Sequence, residues 1–445
     1  MKEEKPNKPG ISRRGFVGSS LAAMVSIGIM GKNKLFGTPV RDTAEKPKIR
    51  EYRTLGRTGY KVSDISFGAG NLNNPAVLEA ALDMGINYID TAEHYVRGNS
   101  ERTIGQVMKN RNRKTVFITT KLNLSRKADK EGLKERALKC LERLQLDYVD
   151  CLMIHMTPAV EQLKHEPYHE VIRELKAEGK VRFTGLSNHG TEHQLSGRTR
   201  DPMEKVVLGA AEDGRFDVVL FVYNFLQKEQ GEKILKACKE KNMGATLMKI
   251  NPVRFYAEQK TRFDQAKERG RKIPEPYLKM LEEYRAHAAK AEKFKKKYDL
   301  TSEAQVRDAA IKFCLSNPDV HAVCPTPKTF EELENYVALS GQRLEPGEKD
   351  MLADYGSSYG RFYCRHACGA CESSCPYGVP VNAIMRYDHY FRAQGREKHA
   401  LVKYDALTGN NAGLCADCAG SCERTCPYGV PIQGLLMMAH QTLTL

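Results

Sequence analysis

Between about residue 60 and residue 340, short runs of β-branched residues alternate with longer segments whose apolar positions recur every three or four residues. KVSDISF, YID, VFIT, YVDCLMI, RFTGLS, DVVLFV, ATLMK and AVCP read as eight strands. The segments between and after them, AVLEAALDMG, SERTIGQVMK, EGLKERALKCLERL, HEVIRELKAEG, PMEKVVLGAAEDG, EKILKACKEKN, SEAQVRDAAIKFCL and TFEELENYVAL, carry helical spacing. Eight such units predict an α/β fold of the (β/α)8 TIM-barrel type. A doubly wound sheet would want a G-x-G-x-x-G loop after its first strand, and FGAGNLNN at 67–74 lacks that pattern. Residues 252–300 interrupt the rhythm with a charged insertion, expected to form helices over the mouth or flank of the barrel.

At 445 residues the chain exceeds one ordinary domain, so a second folded unit is expected beyond the barrel. The net charge of +15 is not gathered into a basic stripe interleaved with aromatics, which argues against nucleic acid. It suits a phosphorylated cofactor or an acidic electron-transfer partner. Of thirteen cysteines, eight fall between Cys364 and Cys426. The others, Cys140, Cys151, Cys238, Cys314 and Cys324, read as small buried hydrophobes.

Barrel chemistry sits where strands end. Asp90 follows strand two with Tyr95 in the loop beyond, Lys121 closes strand three, and His155 closes strand four. Singly these could be a cap, a packed ring, a solvated lysine and a structural histidine. On adjacent strands they form a candidate catalytic set. A tyrosine, with an ordinary pKa near 10, needs a nearby positive charge to act in acid–base chemistry near neutrality, and Lys121 is placed to supply it.

The runs YRTLGRTGYKVSDISFG, YIDTAEHYVRGNSERTIG, FITTK, MIH and TGLSNH, in this order, resemble the aldo-keto reductases over roughly residues 50–340. The resemblance implies a barrel that moves a hydride between NADPH, or NADH, and a small-molecule carbonyl or alcohol. It assigns catalysis to Asp90, Tyr95, Lys121 and His155, and nicotinamide contacts to Ser187 and Asn188. Lys328, Thr329, Glu332 and Asn335 stand where the family wraps the adenosine phosphate. Two positions depart from the family pattern: Leu220 replaces a common Gln in strand six, and Met248 stands where strand seven often offers an aromatic ring.

The C-terminal cysteines form two modules, C-x3-C-x2-C-x3-C-P (Cys364, Cys368, Cys371, Cys375) and C-x2-C-x3-C-x3-C-P (Cys415, Cys418, Cys422, Cys426). Four cysteines in twelve residues ending at proline suit iron–sulfur clusters better than zinc knuckles. Disulfides are the rival in an exported protein, although such closely spaced cysteines would close short, strained loops. The modules resemble those of two-cluster bacterial ferredoxins, which implies a small ferredoxin-like domain with two 4Fe-4S clusters. In that pattern the cysteine before proline serves the other cluster. Each module runs into an apolar helical segment, VNAIMRYDHYF or IQGLLMMAHQTL, and GQRLEPGEKD reads as a hinge.

ISRRGFVGSS, with Arg13-Arg14 before a short apolar stretch, resembles a twin-arginine export signal, the route of proteins that fold and load cofactors before export. The expected layout is therefore signal and linker at 1–45, barrel at 50–345 and ferredoxin-like domain at 355–445. The expected location is periplasmic, with membrane association if the signal stays uncleaved, or cytoplasmic if it does not function. An electron-transfer or regulatory protein using its barrel as a binding module is the alternative.

Overall fold

The computed structural model describes residues 46–124, 128–189, 201–253, 268, 270 and 273–444. Arg13 and Arg14 lie outside them. The barrel strands are β3 (Phe67–Gly68), β4 (Tyr88–Asp90), β5 (Phe117–Leu122), β6 (Val149–Ile154), β7 (Val181–Asn188), β8 (Val218–Val222), β9 (Gly244–Met248) and β10 (Ala322–Val323). They pair in parallel, each with its sequence neighbour, from β10 through to β3. The two edges of the sheet meet as well. Ile65 bridges Val323, the Ser66 amide donates to the Val323 carbonyl at 2.8 Å, and the Gly68 amide donates to the Pro325 carbonyl at 2.8 Å. The sheet thus curls until no edge is left open.

Strand alternation explains the layering. Tyr88, Phe117, Cys151, Met153, Val218, Leu220 and Ala322 share one apolar cluster inside the curl. Their neighbours Ile89, Ile118, Leu152, Ile154, Val219, Phe221 and Val323 face the surrounding helices in a larger one. Those helices are α1 (Pro75–Asp83), α2 (Asn99–Met108), α3 (Lys130–Leu144), α4 (Glu166–Ala177), α5 (Met203–Asp213), α6 (Lys228–Glu240), α8 (Ala304–Leu315) and α9 (Phe330–Ala338). Burial on both faces is what continuous apolar strands of a parallel sheet require.

Three details differ from the sequence reading. KVSDISF is not one strand. Lys61–Ser63 forms β2, antiparallel to β1 (Tyr52–Thr54), and the chain joins the barrel only from Ile65, which bridges Val323. The break falls at Asp64, whose buried carboxylate accepts from Ser340 Oγ at 2.6 Å and from the Gly341 amide at 2.8 Å. GQRLEPGEKD is no hinge. Pro346–Tyr359 forms helix α10, started by a capping box of Glu345 and Glu348, and its Met351, Leu352, Tyr355 and Tyr359 pack with Phe294, Val306 and Ala309. Cys324, unlike the other four scattered cysteines, is only half-buried.

The charged insertion contributes α7 (Glu275–Lys297), which lies against the C-terminal segment rather than standing alone. Its Tyr277, Met280, Leu281 and Tyr284 join Ile384, Tyr387, Leu436 and Met437 in a second core. That core also contains α11 (Val381–Gln394), α12 (Glu397–Asp405), α13 (Ser421–Thr425) and α14 (Ile432–Leu443). Gly434 lets α14 approach α7 closely: a Cβ there would come within 2.8 Å of the Met280 Cβ and 3.1 Å of the Pro276 carbonyl.

Candidate functional site

Adjacent parallel strands bring the four candidate catalytic residues to one end of the barrel. Asp90 ends β4, Lys121 lies one residue before the end of β5, and His155 directly follows β6. Tyr95 sits in the turn after β4. Lys121, fully buried, donates from Nζ to Asp90 Oδ1 at 2.5 Å and to the Thr91 carbonyl at 2.7 Å. Its ammonium lies 5.2 Å from the centre of the Tyr95 ring. The Tyr95 and His155 ring centres are 5.6 Å apart, edge to face. His94, exposed on one side, stacks on His155 at 4.8 Å.

Burial pulls the Lys121 pKa down, but Asp90 and Tyr95 outweigh it and leave the ammonium more firmly protonated than usual. For Tyr95 the balance goes the other way. Burial pushes its hydroxyl up to about 12, against the opposing pull of Lys121. The phenol is therefore a held proton, the form a general acid needs, and not the stabilised phenolate that the sequence suggests. Burial, together with the charges of His94, Lys121 and Arg386, lowers the His155 pKa well below 6.5, so its imidazole is neutral. Asp90 Oδ2, His155 Nδ1 and Thr157 Oγ1 are buried without a hydrogen-bond partner in the protein. Such groups await a ligand or water.

The expected nucleotide contacts divide into two sets. Ser187 and Asn188 end β7, both buried; Ser187 Oγ accepts from the Met156 amide at 3.0 Å, and Asn188 Nδ2 donates to the Thr157 carbonyl at 2.7 Å. Leu220 pairs directly with Ser187, so an apolar side chain takes the neighbouring strand position. Thr329 caps α9 by accepting from the Glu332 amide at 3.1 Å, and Glu332 Oε2 accepts from the Lys328 amide at 2.7 Å. These two side chains are thus engaged in starting a helix. Asn335 is exposed, and the exposed Lys328 donates from Nζ to the Gln394 carbonyl at the end of α11 at 3.1 Å.

Sequence reasoning missed what α11 brings to the barrel mouth. Arg386, 1% exposed, donates from Nε to Tyr390 Oη at 2.5 Å and places Nη2 3.2 Å from Met156 Sδ and 3.4 Å from His189 Nε2. The spacing of Arg386 and Tyr390, one helical turn apart, was visible in VNAIMRYDHYF. Nothing local says which face of that helix meets the barrel.

The two cysteine modules fold alike. In each, a glutamate after the third cysteine accepts from the backbone ten residues on: Glu372 from the Asn382 amide at 2.8 Å, and Glu423 from the Gln433 amide at 2.7 Å. The side chains of Asn382 and Gln433 then return to the Arg365 and Cys415 carbonyls. Ser374 Oγ and Thr425 Oγ1, 2.8 Å apart, join the modules. All thirteen cysteines are free thiols. Among the described residues no group of three or more His, Cys, Asp or Glu is arranged to hold a metal ion. The thiols nonetheless sense one another across the modules. After burial, Cys364 is pushed up by Cys371, Cys368 and Cys426, and Cys415 to about 12 by Cys422, Cys418 and Cys375. Cys364, Cys368, Cys371 and Cys426 also line one cavity.

Fold and strand-end geometry together define an α/β barrel with a buried Asp–Lys pair beneath a tyrosine and a histidine. The chain belongs to the aldo/keto reductase family, whose model matches residues 66–353. An uncharacterized oxidoreductase of Bacillus subtilis is 31% identical over 150 residues, 31% of this chain and 48% of that protein. The NADH-specific methylglyoxal reductase of Escherichia coli is 28% identical over 217 residues, 42% of this chain and 61% of that protein. A probable voltage-gated potassium channel subunit beta from Oryza sativa is 36% identical over 143 residues, 28% of this chain and 41% of that protein. The chain thus spans about half to three fifths of the length of the curated relatives it matches first.

Proposed function

We propose that the protein is a nicotinamide-dependent oxidoreductase, NADPH- or NADH-linked, that interconverts a small carbonyl compound and its alcohol. The observation that carries this reading is the buried Asp90–Lys121 pair set under Tyr95 and His155. A bound nicotinamide would supply the hydride. Tyr95 gives its proton to the carbonyl oxygen as that oxygen gains charge, and Lys121, kept protonated by Asp90, steadies the phenolate left behind. Neutral His155 donates to the same oxygen and orients it. Ser187 and Asn188 would hold the carboxamide, and Lys328, after leaving Gln394, an adenosine phosphate. Unpartnered Thr157 Oγ1 and His155 Nδ1 support a ligand at this end of the barrel. Tyr95→Phe is expected to lower kcat for NAD(P)H-dependent carbonyl reduction by about two to four powers of ten, with nucleotide binding nearly intact. Equal loss of both would refute the role.

The proposal extends to the C-terminal module: two 4Fe-4S clusters, one on Cys364, Cys368, Cys371 and Cys426, the other on Cys415, Cys418, Cys422 and Cys375. The mutual influence of the thiols in these two sets supports it. A four-iron cube takes one thiolate per iron, and so asks for a wider cage than a single ion does. The clusters would carry single electrons to or from a partner protein. Arg13-Arg14 fits export of the loaded, folded chain, and replacing both by lysine is expected to leave the protein in the cytoplasm with its iron. Among the described residues no helix is long and apolar enough to cross a membrane.

A second reading, in which the barrel only binds or senses, draws on Leu220 beside Ser187 and on α11 over the barrel mouth. It predicts no turnover of any carbonyl by the intact protein.

A further inference from the structure

We propose that Arg365 is the fixed counter-charge of one of the two cysteine sets, that of Cys364, Cys368, Cys371 and Cys426, and eases the placing of an electron there, while the other set has no such residue. This rests on the two-cluster reading above and adds the residue that tells the clusters apart.

The two modules match so closely that the places where they differ are informative. After its first cysteine the first module reads RHA and the second reads AD, so Arg365 is answered by Ala416 and Asp417. Arg365 lines the same cavity as the four cysteines of its set. Its guanidinium is gripped from two sides. Nη1 donates to the Gly360 and Tyr363 carbonyls at 2.8 and 2.7 Å, just beyond α10, and Nε donates to the Leu226 carbonyl at 3.1 Å, between β8 and α6. The ring of Tyr428, two residues after Cys426, lies 4.2 Å from it. Tyr377, in the matching place after Cys375, is instead 48% exposed. A second difference points the same way. Asn382 Nδ2 lies 3.7 Å from Cys364 Sγ, whereas its counterpart Gln433 Nε2 spends its donors on the Cys415 and Cys418 carbonyls, each at 2.7 Å.

An arginine is always charged. The groups that hold Arg365 are three backbone carbonyls and an aromatic ring, and no carboxylate among the described residues forms an ion pair with it. A partly buried charge that dipoles position without balancing is best placed where negative charge is gathered. Arg365 is near enough to Cys364, Cys368 and Cys426 for its charge to act on their thiols. With its four thiolates a cluster is an anion, and an added electron makes it more so. A positive charge at its edge therefore stabilises the reduced form more than the oxidised form and raises the potential. The same module is anchored to the barrel. The Gln227 side chain donates to the His366 carbonyl at 2.9 Å and accepts from the His366 amide at 3.0 Å, and the Met203 amide donates to the Ala367 carbonyl at 3.1 Å.

The test uses the full-length protein, purified without oxygen, with iron and sulfide measured first. Dithionite then supplies electrons stepwise while electron paramagnetic resonance follows the clusters. In Arg365→Gln one midpoint potential is expected to fall and the other to stay. Reduction of the affected cluster should become about tenfold less favourable, or about 59 mV for a one-electron couple, the scale of one charge acting over several ångströms inside a protein. Arg365→Lys should restore most of the loss. A purely structural role would not produce this pattern. Midpoints that do not move, that move together, or that fall alike in the Gln and Lys variants overturn the proposal. Where Arg365→Gln fails to assemble its cluster, iron content decides: about half the wild-type iron with Gln and full iron with Lys supports the counter-charge, and half with both overturns it in favour of the carbonyl bonds. Wild-type protein without iron and sulfide overturns the cluster reading and this assignment together. Loaded clusters whose potentials are indifferent to Arg365 overturn the assignment alone.

Discussion

The barrel mouth and the cysteine module bury polar groups on opposite terms. At the mouth, Lys121 is fully enclosed, yet Asp90 and the Thr91 carbonyl accept its protons, so the chain supplies both charges of the pair. In the module eight cysteines are gathered, and burial, with neighbouring thiols and carboxylates, holds the thiols of Cys364, Cys368, Cys371, Cys415 and Cys422 in the protonated state, Cys371 near 12 and Cys422 near 11. Under the proposal above, a cluster would take the place of those protons. The first region holds both charges of its pair, and the second gathers free thiols with no group of three or more among the described residues arranged to hold a metal ion.

This contrast can be broken in graded ways. The largest effect is expected from Lys121→Met, which strands Asp90 as a lone buried carboxylate and should cost about 3–5 kcal/mol in urea unfolding. A cost below about 1 kcal/mol would mean that the pair is not what organises the mouth. Next, on the proposed crossed ligation of two clusters, Cys375→Ser should remove about half of any bound iron and spare the cluster held mainly by the first module. Loss of the first module's cluster instead would show that each module serves itself.

The smallest effect concerns pH. His155 and His189 have folded pKa values below the unfolded 6.5, so on acidification the unfolded chain takes up protons that the folded one refuses. Their contribution is present above about pH 6.5 and fades as pH falls through it, by about 1.4 kcal/mol per pH unit for each histidine. Replacing His189 by Gln should flatten that acid limb. An unchanged limb would mean that the carboxylates dominate it.

Most of the barrel was legible because its strands alternate between two buried faces, a local signal that survives without knowledge of neighbours. The first strand misled because the alternation of KVSDISF runs unbroken through Asp64, while the chain there turns toward Ser340 and Gly341, some 276 and 277 residues distant. The supposed hinge misled because glutamate, proline and glycine serve a helix start as readily as a loop. The convergence of Asp90, Tyr95, Lys121 and His155 could be read from strand ends alone. The influence of burial on Tyr95, and the entry of Arg386 and Tyr390, depend on which surfaces dock, and no window of sequence holds that information.

Helix α11 carries a further consequence. Between Val381 and Gln394 none of its described residues is exposed, because Ile384, Tyr387 and Tyr390 belong to the module's core while Arg386 reaches Met156 and His189 of the barrel. A helix with a solvent face can absorb substitutions there at little cost, and this one has no such face. Mutational tolerance along the chain should therefore reach a minimum in this segment, where a change that suits one neighbour must also be accepted by the other.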